Sequence, residues 1–190
     1  MLATKTDPSQ GAKGMTLFTV DCALTGFNRG RNLDKMGLHS GDTSELFFDD
    51  LIVTTADILG GEGQGFVNMM KELPRERLIL GVGCVGAAQG AFDLTVAYIT
   101  ERQAFGQAVS GFQNSRYKLA EMKTDIELCR AMAEKYTAQF IAGELTSAEA
   151  SMLKLAASEM QGRVADQCVQ LFGGYGYMTE YPISRAYLDA

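Results

Sequence analysis

The longest regular alternation of apolar and polar positions runs from Leu73 to Gly106 and predicts one long helix. Its apolar side chains recur at steps of three, four and seven residues, which places them on one face: Leu78, Val82, Val85, Phe92, Val96 and Ile99. Pro74 suits the first turn of a helix, so we expect the helix to begin there, after a short lead-in from Phe66 to Glu72. We expect Gly106 to end it.

A second face of the same predicted helix is rich in small residues: Gly81, Gly83, Gly86, Ala87, Gly90 and Ala91. Glycine lowers the stability of a helix, so a face with this many glycines needs a compensating interaction. We therefore expect another helix or a ligand to approach this face closely.

Two further stretches have helical periodicity. One is spaced at steps of three and four up to a stop at Gly143, and its apolar positions are Leu119, Met122, Ile126, Cys129, Ala133, Tyr136 and Phe140. Thr146 and Glu149 have the spacing of a capping box and predict the start of another helix, which continues to Gly173 and Gly174. Three long helices on short connections predict an antiparallel bundle.

The first sixty residues are instead rich in strand-forming residues. Thr16 to Asp21, Glu45 to Phe48 and Leu51 to Thr55 predict short strands, with a turn-rich segment from Thr25 to Arg31. So few strands are marginal alone, so we expect them to pair with strands outside this chain or to lean on the helices. The segment Leu59 to Gly65 is glycine-rich but lacks the Lys-Ser/Thr of a phosphate-binding loop, which favours a domain junction.

These patterns predict a mainly α fold, with a partial β domain at residues 1–60 and a helical bundle domain at residues 61–190. A formal net charge of −6 and a pI near 4.8 disfavour nucleic-acid binding, which needs clustered Lys and Arg. No apolar run reaches the roughly 18 residues of a membrane span. We therefore expect no nucleic-acid partner and no membrane span.

The cysteines give no sign of a disulfide framework or a metal site. Cys22, Cys84, Cys129 and Cys168 lie far apart, no CxxC occurs, and His39 is the only histidine. We expect reduced, buried thiols and no bound metal.

Taken singly, the charged and glycine-rich positions allow two interpretations each. Glu76 would stand in the first turn of its helix, where the dipole favours negative charge, and the neighbouring Arg75 and Arg77 would be solvated or paired. The segment QLFGGYG, which starts at Gln170, is typical of a helix end but also exposes backbone amides to a phosphate or ribityl group. The residues alone leave both interpretations open.

Several segments occur together in one order along the chain: NLDKMGLHSGDTSELFFDDLIV, LGGEGQGF, ERQAFGQAVSGFQ and QLFGGYGYMTEYPISRAYLDA. The combination of ERxxFG, a following FQ and QxxGGxGY at this spacing is highly specific, and the chain resembles the acyl-CoA dehydrogenase family over almost its whole length. The resemblance implies the second half of a middle β domain and most of a C-terminal helical domain, without that domain's closing segment.

The resemblance also implies FAD as cofactor. Arg102, Phe105 and Gln113 match FAD-contacting positions of the family, and one further segment matches the part that reaches FAD from the neighbouring subunit: Gln170, Leu171, Phe172, Gly173 and Gly174. A forked, permanently charged Arg102 suits a pyrophosphate. By the same resemblance we expect a homodimer or homotetramer, an electron-transfer flavoprotein as acceptor, and the cytoplasm, or the mitochondrial matrix in a eukaryote.

The reaction that the resemblance implies is α,β-dehydrogenation of an acyl-CoA thioester, in which a carboxylate removes the α-proton. Most branches of the family hold that carboxylate in the closing segment, whereas the long-chain and isovaleryl branches hold it on the helix that here carries Glu76. The run ELPRERLIL is similar to the long-chain branch, so we predict Glu76 as the base, with Pro74, Arg75 and Arg77 on the substrate side.

Two alternatives belong to other classes. One is a flavoprotein acyl-CoA oxidase, which shares the first half-reaction and passes electrons to oxygen. The other is a non-catalytic module that acts only in assembly. For the chain by itself we expect little bound FAD, no turnover, and association with a second copy.

Overall fold

Four helices, seven short strands and a few 3-10 turns make up the chain in a computed structural model that describes all 190 residues. The helices are α1 (Gly65–Glu101), α2 (Gln113–Ile141), α3 (Ser147–Phe172) and α4 (Pro182–Leu188). The strands are β1 (Leu2–Lys5), β2 (Met15–Phe18), β3 (Phe27–Asn32), β4 (Ser44–Phe48), β5 (Ile58–Leu59), β6 (Gln103–Ala104) and β7 (Gln107–Ala108). The predicted mainly α class is confirmed.

The chain divides into two compact units. One contains residues 1–35 and 39–73, and the other contains residues 36–38 and 74–190. In the second unit, the Leu38 N–H donates to Asp189 Oδ1 at 2.6 Å, which ties the 36–38 segment to the end of α4. The division into domains at residues 1–60 and 61–190 stays a prediction.

The first unit holds two small antiparallel sheets. β2 lies between β1 and β5, with Leu2 opposite Phe18, and β3 pairs with β4. The rings of Phe27 and Phe48 meet edge to face at 5.6 Å across the β3–β4 pair. Cross-strand aromatic pairs of this kind stabilise a sheet too small to be stable on backbone pairing alone.

The strand predictions were partly right. Glu45 to Phe48 is confirmed within β4, and Thr16 to Asp21 contains the shorter β2. Leu51 to Thr55 was wrong, because Asp50 turns the chain at a φ of 48° and an Asp57 carboxylate caps a 3-10 turn at Thr54. β3 falls on the segment that its glycines and asparagine marked as a turn.

The start and end predicted for the long helix were wrong. α1 begins at Gly65, where the Asn68 N–H donates to Gln64 O at 2.9 Å, and it continues through Pro74. An internal proline removes one backbone hydrogen bond, at a cost of about 3 kcal/mol, which the rest of a 37-residue helix outweighs. Gly106 does not end the helix. It forms, with Phe105, the turn between β6 and β7, at φ values of 83° and 52°.

By length and composition α1 is long and apolar enough to cross a membrane, contrary to the expectation that no segment would be. One such helix is weak support for a span, because the core helix of a bundle has the same composition. The buried residues of α1 that join the bundle core are Leu78, Cys84, Val85, Ala88 and Ala91.

The second unit is a helical bundle whose core is drawn from all four helices. The α2 pattern is confirmed at five of its positions, which are buried: Met122, Ile126, Cys129, Ala133 and Tyr136. The core position predicted for Phe140 was wrong, since 41% of this residue is exposed. Thr146 and Glu149 form the predicted capping box of α3, and Gly173 ends that helix at a φ of 61°.

The small-residue face of α1 is only partly covered by this chain. At Gly81 a Cβ would lie 2.6 Å from Leu153 Cγ, so the predicted close approach of another helix is confirmed there. Around Gly83, Gly86 and Gly90 a Cβ would meet nothing within 4 Å. The close approach predicted for those three glycines does not occur within this chain.

All four cysteines are free thiols. Cys84, Cys129 and Cys168 are buried as predicted, and burial raises the pKa of each thiol. Cys22 is exposed, so the prediction was wrong for that residue, which lies in a surface turn after β2.

Candidate cofactor and substrate sites

A cavity of about 540 Å³ lies where the end of α1 meets the end of α3. Its lining comes from the two helix ends, the β6–β7 hairpin and the turns that follow β7 and α3: Tyr98, Arg102, Ala104, Val109, Gln170, Leu171, Phe172, Gly173, Gly174, Tyr175 and Met178. The cavity therefore brings Arg102 together with the whole Gln170 to Gly174 segment, two candidates that lie far apart in sequence.

Arg102 is the first residue after α1, and its backbone extends the last turn. Its N–H donates to Tyr98 O at 2.9 Å, and its own carbonyl accepts from the Val109 N–H at 2.9 Å. The guanidinium carbon lies 5.2 Å from the centroid of the Tyr175 ring. An exposed guanidinium at a cavity wall is suited to a phosphate or pyrophosphate group.

Gly173 and Gly174 also line the cavity. Gly173 adopts φ 61° and ψ −140°, a backbone conformation that residues with a Cβ rarely adopt. A Cβ on either glycine would meet nothing within 4 Å, so both backbones are open to the cavity. A ligand can therefore approach these peptide groups closely.

An aromatic cluster of Tyr98, Phe172, Tyr175 and Tyr181 supports the cavity. Tyr98 stacks on Phe172 with centroids 4.0 Å apart and planes 6° apart, and its hydroxyl donates to Phe172 O at 3.5 Å. Tyr175 stacks on Tyr181 at 4.9 Å. Burial raises the pKa of Tyr98, which further favours the protonated hydroxyl that donates to Phe172 O.

Two other predicted FAD residues lie outside this lining. Phe105 is 99% exposed at the hairpin turn, with its ring 6.4 Å from that of Phe112. Gln113 is the first residue of α2, and its Nε2 donates to the Tyr117 hydroxyl at 2.6 Å. Their role toward FAD stays a prediction.

Sequence reasoning missed Tyr98 and Tyr175. Both signals were available: Tyr98 precedes Arg102 by four positions, one helical turn, and Tyr175 follows Gly174 within the glycine-rich segment. Tyr98 did not stand out because a tyrosine in a helix is more often part of the core than of a site. Tyr175 did not stand out because the glycines around it already marked the end of a helix.

Glu76 lies in the interior of α1, as the twelfth residue of that helix. The prediction of a first-turn position was wrong because α1 begins nine residues before Pro74. The helix dipole acts within the first turn, so it gives no structural reason for an acid at Glu76. The side chain is exposed in this chain.

The residues around Glu76 point in different directions. Arg77 is half-buried, and its Nη1 donates to Ser147 Oγ at 3.3 Å and Ser151 Oγ at 3.1 Å, both on α3. Successive helical residues are rotated by about 100°, so Glu76 does not follow Arg77 toward α3. Pro74 is half-buried and Arg75 is exposed. The substrate role of Pro74, Arg75 and Arg77 stays a prediction.

The two candidate sites lie far apart along α1, with Glu76 in the helix interior and Arg102 directly after the last residue of the helix. Twenty-six positions separate Glu76 from Arg102, which at 1.5 Å per residue is about 39 Å. One FAD molecule does not span that length.

Comparison with known sequences and structures follows the same lines. Residues 63–190 match the family described as acyl-CoA dehydrogenase, C-terminal domain. The long-chain specific acyl-CoA dehydrogenase of Rattus norvegicus mitochondria is 44% identical over 187 residues, which cover 98% of this chain and 44% of that protein. The chain thus spans less than half the length of this relative.

Solved structures agree with the fold. An acyl-CoA dehydrogenase from Geobacillus kaustophilus superposes with a TM-score of 0.96 at 44% identity, covering 98% of this chain and 50% of that one. A structure described as the electron transferring flavoprotein of Acidaminococcus fermentans has a matching chain with a TM-score of 0.95, at 36% identity and 98% and 49% coverage. With the match to residues 63–190, these similarities show that the chain belongs to the acyl-CoA dehydrogenase family.

Proposed function

We propose that this chain forms part of an FAD-dependent enzyme that oxidises acyl-CoA thioesters at the α and β carbons. The observation that carries the proposal is the cavity at the ends of α1 and α3, which is lined by both Arg102 and the open backbone of Gly173 and Gly174. Family membership supplies the reaction class.

The cavity residues fit the phosphate-bearing part of FAD. Arg102 offers a permanent positive charge, and the absence of side chains at Gly173 and Gly174 lets a ligand reach the peptide groups. Gln170 adds a side-chain amide that both donates and accepts hydrogen bonds. The donor set suits a diphosphate and its ribose.

Glu76 is proposed as the general base. FAD, when bound, would supply the acceptor for the hydride of the β-carbon. The Glu76 carboxylate takes the α-proton, and the electrons of that C–H bond form the new double bond.

The separation of Glu76 and Arg102 supports a site shared between two subunits. Because about 39 Å exceeds the length of one FAD, the two residues of one chain serve different cofactors. We propose a homodimer, or a tetramer built from such dimers, in which Glu76 of one subunit and the Arg102 cavity of the other act on the same FAD.

The relatives support one acceptor and two possible compartments. We propose an electron-transfer flavoprotein as acceptor, which the Acidaminococcus fermentans structure supports. The mitochondrial relative supports the mitochondrial matrix if the chain is eukaryotic, and the bacterial relative structures support the cytoplasm otherwise.

The test uses the full-length protein. We expect it to purify with bound FAD, and anaerobic addition of a series from butyryl-CoA to palmitoyl-CoA should bleach the flavin absorbance. Slow reoxidation in air indicates a dehydrogenase, whereas fast reoxidation with hydrogen peroxide formation would indicate an oxidase. A colourless protein, or a flavin that no acyl-CoA bleaches, would overturn the proposal and favour an assembly module.

A further inference from the structure

The cavity is built from two parts of the chain that the backbone does not hold in register. Arg102 follows α1, and the segment Gln170 to Gly174 ends α3, so 68 positions separate them. A forked guanidinium and nearby peptide groups can bind the same diphosphate only if they are held at a suitable separation. Some side chains must therefore link the two helix ends.

Tyr98 makes the first link. Its backbone oxygen accepts the Arg102 N–H, so the two residues share the last turn of α1. Its ring lies flat on Phe172 at 4.0 Å, and its hydroxyl reaches Phe172 O at 3.5 Å. Phe172 is itself buried, directly before Gly173. Tyr98 thus connects the backbone that carries Arg102 to the backbone that begins the glycine turn.

Tyr175 makes the second link, from the side chain of Arg102. The guanidinium carbon lies 5.2 Å from the ring centroid, an arrangement in which the ring face attracts the cation. The turn that carries Tyr175 is held against α3, because a Cβ on the buried Gly176 would lie 2.4 Å from Val169 O. The ring therefore limits the positions that the Arg102 side chain can take before a ligand binds.

We propose that Tyr98 and Tyr175 are positioning residues for the diphosphate of FAD: Tyr98 fixes the distance between the two helix ends, and Tyr175 holds the Arg102 guanidinium ready. This inference rests on the proposed FAD site. An arginine that is already ordered loses less side-chain freedom on binding, so both tyrosines raise affinity through Arg102 and Gly173.

The experiment measures FAD affinity of the full-length apoprotein by quenching of flavin fluorescence. We expect Tyr98→Leu and Tyr175→Leu each to weaken binding about tenfold, and Tyr98→Phe, which keeps the stacked ring, to weaken it less than about threefold. Val164→Ala is the matched control, because it removes volume from the bundle core and lowers thermal stability without touching the cavity.

A double-mutant cycle with Arg102→Ala separates positioning from stability. If the tyrosines act through Arg102, Tyr175→Leu should change FAD affinity by about twofold or less in the Arg102→Ala background. Equal effects of Tyr175→Leu in both backgrounds would overturn the inference. Tyr175 is 41% exposed, so Tyr175→Leu provides this test even if Tyr98→Leu fails to fold. Unchanged affinity in Arg102→Ala alone would instead overturn the proposed FAD site, and the inference with it.

Discussion

Leu153 of α3 packs so closely on Gly81 of α1 that a Cβ added to the glycine would lie 2.6 Å from Leu153 Cγ. Leu153 is fully buried, so it has no space into which to move. This contact fixes how near α1 and α3 approach each other, and it explains one helical glycine whose conformational cost is otherwise a loss.

Gly81→Ala should therefore destabilise the chain. Overpacking lowers the free energy of unfolding by about 1–3 kcal/mol, and the better helix propensity of alanine offsets up to about 1 kcal/mol of that loss. Gly83→Ala, two positions away in open space, is the control and should raise stability by up to about 1 kcal/mol. Urea unfolding of both variants measures the difference. Stabilisation by Gly81→Ala would show that the helices can separate without cost.

Glu76→Gln should abolish the chemistry of the full-length protein while leaving it folded. The amide keeps the size of the side chain but cannot accept the α-proton, so we expect the rate of flavin bleaching by acyl-CoA to fall roughly 10²–10⁴-fold. Glu134→Gln, at an exposed position within α2, is the control and should leave the rate unchanged. A Glu76→Gln rate within a few-fold of the parent would move the base elsewhere.

Mixed dimers test whether the site is shared. When Glu76→Gln and Arg102→Ala subunits of the full-length protein are co-expressed and hybrids are isolated by two different tags, one of the two sites in each hybrid contains both wild-type residues. We expect hybrids to regain about half the wild-type activity per dimer, although each parent variant is inactive. Hybrids as inactive as their parents would place both residues in one subunit's own site.

The capping box of α3 should make stability depend on pH. Hydrogen bonds from the Thr146 side chain, the Thr146 N–H and Gln139 lower the pKa of Glu149 below its usual value. A lowered pKa in the folded state means that the stabilisation is present above the usual pKa and is lost as the pH falls through the folded-state value.

The measurement compares melting temperatures from neutral pH down to about pH 3. Glu149→Gln should melt below the wild type at neutral pH, and the difference should close in acid. Glu144→Gln, also exposed and close in sequence, should show no such pH-dependent difference. A gap between Glu149→Gln and the wild type that is constant over this range would contradict the role of the carboxylate.

Thiol chemistry should report the burial of the cysteines. Cys22 is exposed, and the other three thiols are buried with raised pKa values: Cys84, Cys129 and Cys168. Because the thiolate is the reactive form, Ellman's reagent should label Cys22 quickly in the native chain and all four thiols only in denaturant. Cys22→Ser should remove the fast phase, and a persisting fast phase would mean that a buried thiol becomes exposed.

The spacing of apolar residues predicted a helix well where the residues at that spacing are the ones that pack in the core. The α2 pattern and the Thr146 to Glu149 box depend on spacing alone, and both were found. The start of α1 was missed because Pro74 is a good first-turn residue and also a tolerable interior residue in a long helix. Only tertiary packing decides between those outcomes.

Some residues of the cavity lining were singled out from the sequence, but the cavity itself was not predicted. Arg102 and the Gln170 to Gly174 segment were identified by resemblance, and their meeting on one cavity needed the fold. Tyr98 was missed because its role depends on a ring contact with Phe172, 74 positions away, which no local pattern encodes. The exposure of Gly83 was missed for the same reason, since sequence marks a small-residue face but not its occupant.

Under the proposed roles of Glu76 and Arg102, their placement within α1 and directly after it restricts how this segment can change in evolution. Each residue inserted or deleted between them rotates one end by about 100° relative to the other and shifts it by about 1.5 Å. The stretch can accept many substitutions on its open face, but a change of length turns either the acid or the arginine away from its target. Homologues that keep both residues should therefore keep the number of residues between them.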